Sequence, residues 1–326
     1  MAHGRGRSRS RIAALAVGLV VVAACAPPAG APSEFVLPPG VTSVSGNYGA
    51  ASTSFTLLSN GHRSDERLVV FVHGGAWQTG SKDLFPSSVK RLVNQGYSVA
   101  SIAYPLSISQ RHREQVRHVK DALSYFRANE AALGIDGESP ILVGFSAGGH
   151  LAALAGTTSG VAGYAPHGAA TENLPGALVL LAAPVDLALL NATAPSGLAA
   201  GANASAMSVY LNNSCPVIPN NPGCDTPLAE ASPTTHLNAG DPPIYTVGSV
   251  HDERIPLSQQ SRLIEVAGAD VHVQQVLLAS STTVSECIEY SNATGCDSNA
   301  WVHSAVPTQL NTNNLAIWLN SRGLAA

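Results

Sequence analysis

A serine between two glycines is the residue of this sequence with the clearest potential for chemistry. The run from Gly144 to Gly148 is G-F-S-A-G, and it follows an apolar run that begins at Ile141. In a G-x-S-x-G turn between a strand and a helix, the glycines allow close approach and leave the serine exposed as a nucleophile. A tight glycine turn without chemistry has the same local sequence. The rest of the chain must therefore distinguish a catalytic Ser146 from a structural one.

A second glycine motif, H-G-G-A-W at 73–77, directly follows the apolar run 68–72. Negative charge develops on the carbonyl oxygen during acyl transfer, and backbone N–H groups that no side chain shields can stabilise it. We assign the N–H groups of Gly74, Gly75 and Ala147 to such an oxyanion hole. His73 is expected to be structural, because it precedes Ser146, whereas the histidine follows the serine in the order Ser, acid, His.

The two glycine motifs can act together only if the surrounding strands and helices place them close to each other. Apolar runs predict strands at 68–72, 98–103, 141–145, 178–182, 244–247 and 271–278, and helical spacing occurs at 113–129, 147–155, 259–267 and 315–319. This alternation predicts an α/β fold with a mostly parallel central sheet and helices on both faces. The stretch of about 187–240 has no strong period and is expected to be a small, irregular cap insertion.

Three runs resemble the α/β-hydrolase superfamily: VASIAYPLS at 99–107, DALSYFRANEAALGID at 121–136 and VGFSAGGHLAALAG at 143–156. Together with the two glycine motifs, they are similar to carboxylesterases and lipases with an HGG oxyanion motif. They are also similar to HGGxW enzymes that include kynurenine formamidases. The resemblance implies an α/β-hydrolase fold and a Ser-acid-His triad, without a metal or an organic cofactor.

Asp252 is the acid that the resemblance implies. It follows a predicted strand and stands four residues before Pro256, like the family's strand–loop–Asp–x–x–Val–Pro element. The loop departs slightly, because Gly248 is four residues before the aspartate where three is usual. Asp186, in AAPVDLALL, resembles a structural Asp-Leu of the family, and Glu253 is an adjacent alternative.

His303, in NAWVHSAVP, is the base that the resemblance implies, since it falls between the last predicted strand and the final helix. His272, placed within the last strand, and His251, beside the acid, are interpreted as structural. The separation between Asp252 and His303 is longer than is usual in the family. The assignment therefore depends on chain order.

The cysteines indicate an oxidising compartment. Cys215 and Cys224 are nine residues apart, as are Cys287 and Cys296, which predicts two local disulfides, although three connectivities are formally possible. The first disulfide would cross-link the cap. The second would cross-link an insertion between Asp252 and His303, which explains their long separation. A zinc site is disfavoured, because it needs tighter C-x2-4-C pairs.

The N-terminus has the pattern of an export signal. Arginines at 5, 7, 9 and 11 precede an apolar run at 12–24 that is short for a membrane span. V-A-A-C at 22–25 resembles the bacterial lipoprotein box with Cys25 as the lipidated residue; an ordinary secretory cleavage is the alternative. We expect a signal peptide at 1–24, the anchor and a Pro/Ala-rich spacer at 25–40, and the hydrolase domain at 41–326. The protein would be exported and lipid-anchored at the extracytoplasmic face of a bacterial membrane or cell surface.

The composition of the chain indicates which classes of partner it binds. The 326 residues suffice for a large core, and a net charge of −4 without a clustered basic face argues against nucleic acid. His112 and His118, among arginines, indicate a solvated helix face and not a metal site. We expect a small-molecule ester substrate, while the sequence makes no prediction of the oligomeric state.

The resemblance implies a serine carboxylic ester hydrolase that acts through an acyl-enzyme. Short acyl or aryl esters are expected, because 5% aromatic residues and two methionines suggest no lipid-binding groove. Alternatives are a formamidase or amidase, suggested by Trp77, and a feruloyl or acetyl-xylan-type esterase. Export argues against a formamidase of tryptophan breakdown, which acts on cytoplasmic metabolites. A catalytically silent binding protein on the same scaffold is a further alternative.

Overall fold

The structure is a computed structural model that describes residues 19–22, 35–49, 53–59, 66–107, 109, 111–168, 171–193, 198–212, 217, 224–278, 303 and 306–326. These residues contain nine strands in one sheet, with the spatial order β1-β9-β8-β7-β6-β4-β5-β3-β2. The strands are β1 Leu19–Val22, β2 Thr42–Asn47, β3 Ser54–Ser59, β4 Arg67–Val72, β5 Ser98–Ile102, β6 Asp136–Phe145, β7 Ala177–Leu181, β8 Ile244–Ser249 and β9 Val273–Leu278.

The described helices lie between and after these strands. They are α1 Ser87–Lys90, α2 Glu114–Ala128, α3 Glu130–Leu133, α4 Ala147–Thr157, α5 Leu187–Ala192, α6 Leu198–Tyr210, α7 Asp225–Glu230, α8 Pro233–His236, α9 Ser258–Ala267 and α10 Thr312–Asn320, with short 3-10 helices at Arg91–Gln95 and Pro307–Gln309. The predicted α/β-hydrolase architecture is confirmed, and the predicted strands and helices lie within a few residues of the observed ones.

The sheet is parallel except at one edge, where β3 pairs antiparallel with β5 and with β2. Its parallel strands are continuous apolar runs because both faces are covered. Along β4, Val70 packs into one hydrophobic cluster, which includes residues of α2 and α4. Its neighbour Val69 packs into another, which includes Leu315 of α10. Since successive strand residues point to opposite faces, the helices cover both sides of the sheet, as predicted.

The cap differs from its prediction. Helices α5, α6, α7 and α8 occupy the described part of 187–240, so the expectation of an irregular insertion is wrong there. Alanine lies on both the buried and the exposed faces of α6, as Ala204 and Ala202 show, so the sequence has no clear apolar stripe. Cys224 is disulfide-bonded, whereas Cys215, Cys287 and Cys296 lie outside the described residues. The pairing remains a prediction.

The N-terminal predictions fall largely outside the description. Cys25 and most of 1–34 are not described, but β1 pairs in parallel with β9 at the edge of the sheet. Among the residues that the structure does describe, no helix is both long and apolar enough to cross a bilayer.

Candidate active site

Ser146 occupies a strained turn between β6 and α4. Its φ of 52° and ψ of −124° lie in a region that side-chain-bearing residues rarely adopt. Its N–H donates to the carbonyl of Leu181 at 2.9 Å, which ties the turn to β7. A Cβ on Gly148 would lie 2.2 Å from the carbonyl oxygen of Val72, so only glycine allows α4 to approach β4 this closely. The turn has the geometry of a nucleophile elbow.

His303 connects Ser146 to Asp252. Its Nε2 lies 2.8 Å from Oγ of Ser146, and its Nδ1 lies 2.7 Å from Oδ2 of Asp252. The other carboxylate oxygen of Asp252 accepts the N–H groups of Arg254 and Ile255 at 3.0 and 2.9 Å. Because Asp252 accepts from Nδ1, the imidazole can receive a proton at Nε2, which is the order of contacts that a Ser-His-Asp triad requires.

The parallel sheet explains why residues so distant in sequence meet. Ser146 directly follows β6, Asp252 follows β8, and His303 comes after β9 and before α10. The carboxyl ends of parallel strands lie at one edge of the sheet, where sites of open α/β folds form. Phe145 supports the histidine, with ring centroids 5.0 Å apart.

The H-G-G motif lies beside the nucleophile because β4 and β6 are neighbours, with Val72 paired to Gly144. A Cβ on Gly74 would lie 3.1 Å from the Cβ of Ser146. Gly75 has a φ of 123°, which favours glycine. Ala147 is the first residue of α4, where N–H groups have no acceptor within the helix. The structure thus places Gly74 and Ala147 beside Ser146, and Gly75 follows Gly74 in the same loop.

Trp77 makes a contact that the sequence did not predict. Its buried indole donates from Nε1 to Nδ1 of His150 in α4, at 3.2 Å, and its ring stacks on Tyr210 of α6 at 4.8 Å. Nε2 of His150 in turn donates to the carbonyl of Ala231 at 2.7 Å. Burial lowers the pKa of His150 to about 4, so the imidazole is neutral and can accept from Trp77. The oxyanion loop, the nucleophile helix and the cap are therefore joined by one chain of hydrogen bonds.

His73 has the environment of a packed, neutral histidine. It is fully buried, and burial lowers its pKa to about 4. Its Nδ1 lies 2.7 Å from the carbonyl of Gly74, and its ring stacks on Tyr104 with centroids 4.4 Å apart. These contacts support a structural interpretation.

The alternative triad residues have other contacts. Asp186 caps α5 by accepting an N–H at 2.8 Å and pairs with Arg262 at 3.1 Å. Glu253 and His251 are exposed. His272 precedes β9 and does not lie inside it as expected, and its Nε2 is 2.7 Å from a guanidinium nitrogen of Arg322.

The expectation of a solvated histidine face on the helix after β5 is wrong. His112 bonds to the hydroxyls of Tyr210 and Tyr164, at 3.1 and 3.0 Å, and burial is the main cause that lowers its pKa to about 3. The side chain of His118 is only 11% exposed. The sequence misses this because the contacts come from elements distant along the chain.

Comparisons with known proteins agree with this architecture. The BD-FAE family model matches residues 57–266. Esterase LipC of Mycobacterium tuberculosis is 40% identical over 93 residues, which are 28% of this chain and 23% of LipC. The probable carboxylic ester hydrolase LipM of the same organism is 26% identical over 196 residues, or 60% of this chain and 43% of LipM. The alignments thus span less than half of these relatives.

A solved structure supports the fold independently. Esterase B of Lactobacillus rhamnosus superposes with a TM-score of 0.65 at 17% identity. The match covers 90% of this chain and 88% of that one. At this identity the likeness concerns the fold alone, and it extends well beyond the two glycine motifs.

Proposed function

The chain belongs to the BD-FAE family within the α/β-hydrolase superfamily, and on that premise we propose that it is a serine carboxylic ester hydrolase. The observation that carries the proposal is the line of contacts from Ser146 through His303 to Asp252, at 2.8 and 2.7 Å. A catalytically silent binding protein would have no need to keep a strained serine in hydrogen-bond reach of a carboxylate-held imidazole.

In the proposed reaction, Oγ of Ser146 attacks the ester carbonyl carbon while its proton passes to Nε2 of His303. Asp252 stabilises the imidazolium that results, and the N–H groups of Gly74, Gly75 and Ala147 stabilise the oxyanion. The tetrahedral intermediate then breaks its ester C–O bond, and the alcohol leaves with the proton from His303. Water, deprotonated by the same imidazole, hydrolyses the acyl-enzyme and releases the acid.

Short acyl or aryl esters are the proposed substrates. Aromatic residues are only 5% of the sequence, and the side chain of Met207, which could otherwise line an acyl groove, is buried in the core. Trp77, which suggested a formamidase, is buried in its bond to His150. Its place in the structure therefore supports a positioning role for the loop and gives no preference for an amide.

A substrate series tests the proposal. We expect kcat/KM to be highest for p-nitrophenyl acetate or butyrate and to fall steadily towards palmitate. Methyl ferulate tests an ester with an aromatic acyl group, and an aryl formamide is the amide comparison. Ser146→Ala should lower every ester rate. A formamide preference, or a maximum at palmitate, would contradict the substrate class without affecting the assignment of the triad.

We further propose that a lipid on Cys25 anchors the exported protein to a membrane surface. Processing before Cys25 would remove β1 and leave β9 as an edge strand of the sheet. Mass spectrometry of the mature protein should therefore find a lipidated Cys25 at its N-terminus, and Cys25→Ser should release the protein from the membrane fraction. Unchanged membrane partitioning of Cys25→Ser would contradict the anchor.

A further inference from the structure

Two imidazoles and two carboxylates meet on the outer side of α2. Glu114 and His118 are four residues apart on this helix, and Asp121 lies one turn further on, so the three share a face. His167, from the loop after α4, lies against them, and its ring centroid is 4.7 Å from that of His118. Ligand atoms of Glu114, His118 and His167 all lie within 4.8 Å of one another.

Asp121 orients both imidazoles. Its Oδ2 lies 2.6 Å from Nδ1 of His167 and 3.4 Å from Nδ1 of His118, and its Oδ1 accepts the backbone N–H of His167 at 2.7 Å. An ionised carboxylate can only accept, so Nδ1 of His167 donates to Asp121, which leaves Nε2 as the ring atom that faces Glu114. A carboxylate that fixes the tautomer of a histidine in this way is the usual outer partner of a metal-binding imidazole.

Glu114 faces the outer ring nitrogen of His167. Its Oε2 lies 3.0 Å from Nε2 of His167, while its Oε1 accepts from Arg117 at 2.8 Å. A hydrogen bond from Nε2 or a cation bound by both atoms would account for this distance. A proton would join only Glu114 and His167. A metal ion would also bind His118, whose Nδ1 lies 3.4 Å from Asp121.

We propose that Glu114, His118 and His167 bind one divalent zinc ion, with Asp121 as a positioning residue. Two imidazoles and a carboxylate suit Zn²⁺, and a tetrahedral ion places its ligand atoms ~3.3 Å apart, so modest side-chain rotation closes the site. Ca²⁺ and Mg²⁺ prefer oxygen ligands and are disfavoured. The side chains of Glu114 and His167 are 40% and 36% exposed, which gives the ion access from solvent.

The ion would tie the loop after α4 to the start of α2. None of the four residues belongs to the proposed triad or oxyanion hole, so the inference is independent of the proposed function. Its expected effect is on stability: zinc at about a hundred times its Kd should raise the Tm by ~5 °C.

Calorimetric titration of the untagged, EDTA-dialysed protein tests the site. We expect one Zn²⁺ per chain and no saturable binding of Ca²⁺ or Mg²⁺. The double variant His118→Gln/His167→Gln should lose this binding and the Tm shift, whereas His272→Gln, which changes a histidine outside the cluster, should keep both. Asp121→Asn should weaken zinc binding by roughly 10–100-fold, as for other outer partners of metal ligands.

Three results would overturn the proposal. They are the absence of saturable zinc binding, zinc binding that the double variant retains, and an NMR titration in which His167 is protonated at pH 7.5 and unaffected by zinc. If the double variant does not fold, as judged by circular dichroism, the single variant Glu114→Gln replaces it, and unchanged zinc affinity in that variant would count against the site.

Discussion

Trp77 donates its indole N–H to Nδ1 of His150, 3.2 Å away, and so joins the H-G-G loop to the helix that begins after Ser146. Nε2 of the same imidazole donates to Ala231 in the cap. A shift of about 1 Å at a reacting group can cost 10²-fold in rate. Contacts that fix the loop relative to the nucleophile therefore bear directly on catalysis.

Trp77→Phe tests this connection. The change leaves Nδ1 of His150 buried without its donor, which should cost ~1–2 kcal/mol of unfolding free energy and lower kcat roughly 10-fold with less effect on KM. Trp318→Phe is the matched control, because the buried Nε1 of Trp318 has no hydrogen-bond partner among the described residues. Urea unfolding and ester kinetics should separate the two variants, and equal effects on kcat would argue against the positioning role.

Asp252→Asn and Asp186→Asn should differ in kind. Asparagine at the triad acid favours the wrong tautomer of His303, and we expect kcat to fall by about 10⁴. Asn can still cap α5 at position 186, and the partly exposed pair with Arg262 contributes little, so that variant should stay active with a loss of no more than ~1 kcal/mol. The assignment of the acid fails if Asp186→Asn is folded but inactive while Asp252→Asn is active.

Mild acid should destabilise the fold through three buried histidines. Burial lowers the pKa of His73 and His150 to about 4 and that of His112 to about 3. Below pH ~6.5 the unfolded chain binds more protons at these sites than the folded chain does. The stabilisation that these neutral histidines give is therefore complete above pH ~6.5. As the pH falls towards 4, the free energy of unfolding drops by up to ~1.4 kcal/mol per pH unit for each histidine. Urea unfolding at several pH values between 6.5 and 5 should show this slope, and His150→Gln should reduce it by about a third. Stability that is constant across this range would contradict the prediction.

The cysteine pairs should act differently on activity and stability. Cys224 is disulfide-bonded, and we expect Cys215 as its partner, with Cys287 and Cys296 forming the second bond. A disulfide that closes a loop of this size stabilises the folded state by roughly 2–3 kcal/mol. Removing 287–296 should lower kcat more than KM, because that loop precedes His303, whereas removing 215–224 should mainly change KM. Non-reducing peptide mapping comes first, and a bond between Cys215 and Cys287 would refute the scheme.

The candidate site could be predicted from sequence motifs because strand order determines which chain segments meet. The glycine turn placed Ser146, and chain order placed Asp252 and His303 beyond successive strands, whose ends a parallel sheet brings to one edge. The same reasoning could not find the bond from Trp77 to His150, since nothing in local spacing specifies a contact between a loop and a distant helix.

Other features were missed because local patterns do not encode them. Alanine occurs on both the buried and the exposed faces of α6, so no apolar stripe in the sequence marks the helix. His118 had the sequence context of an exposed helix face. Its partner His167 comes from a loop far along the chain, and only the packing of that loop against α2 brings the two rings together.

Covalent labelling tests the central claim most directly. Treatment with a fluorophosphonate, followed by intact-mass and peptide mapping, should give one adduct per chain, on Ser146. Ser146→Ala should give none, and His303→Ala should label at least ~10³-fold more slowly, because the imidazole no longer removes the serine proton. An adduct on another residue, or a folded Ser146→Ala that still hydrolyses esters at the wild-type rate, would contradict the account.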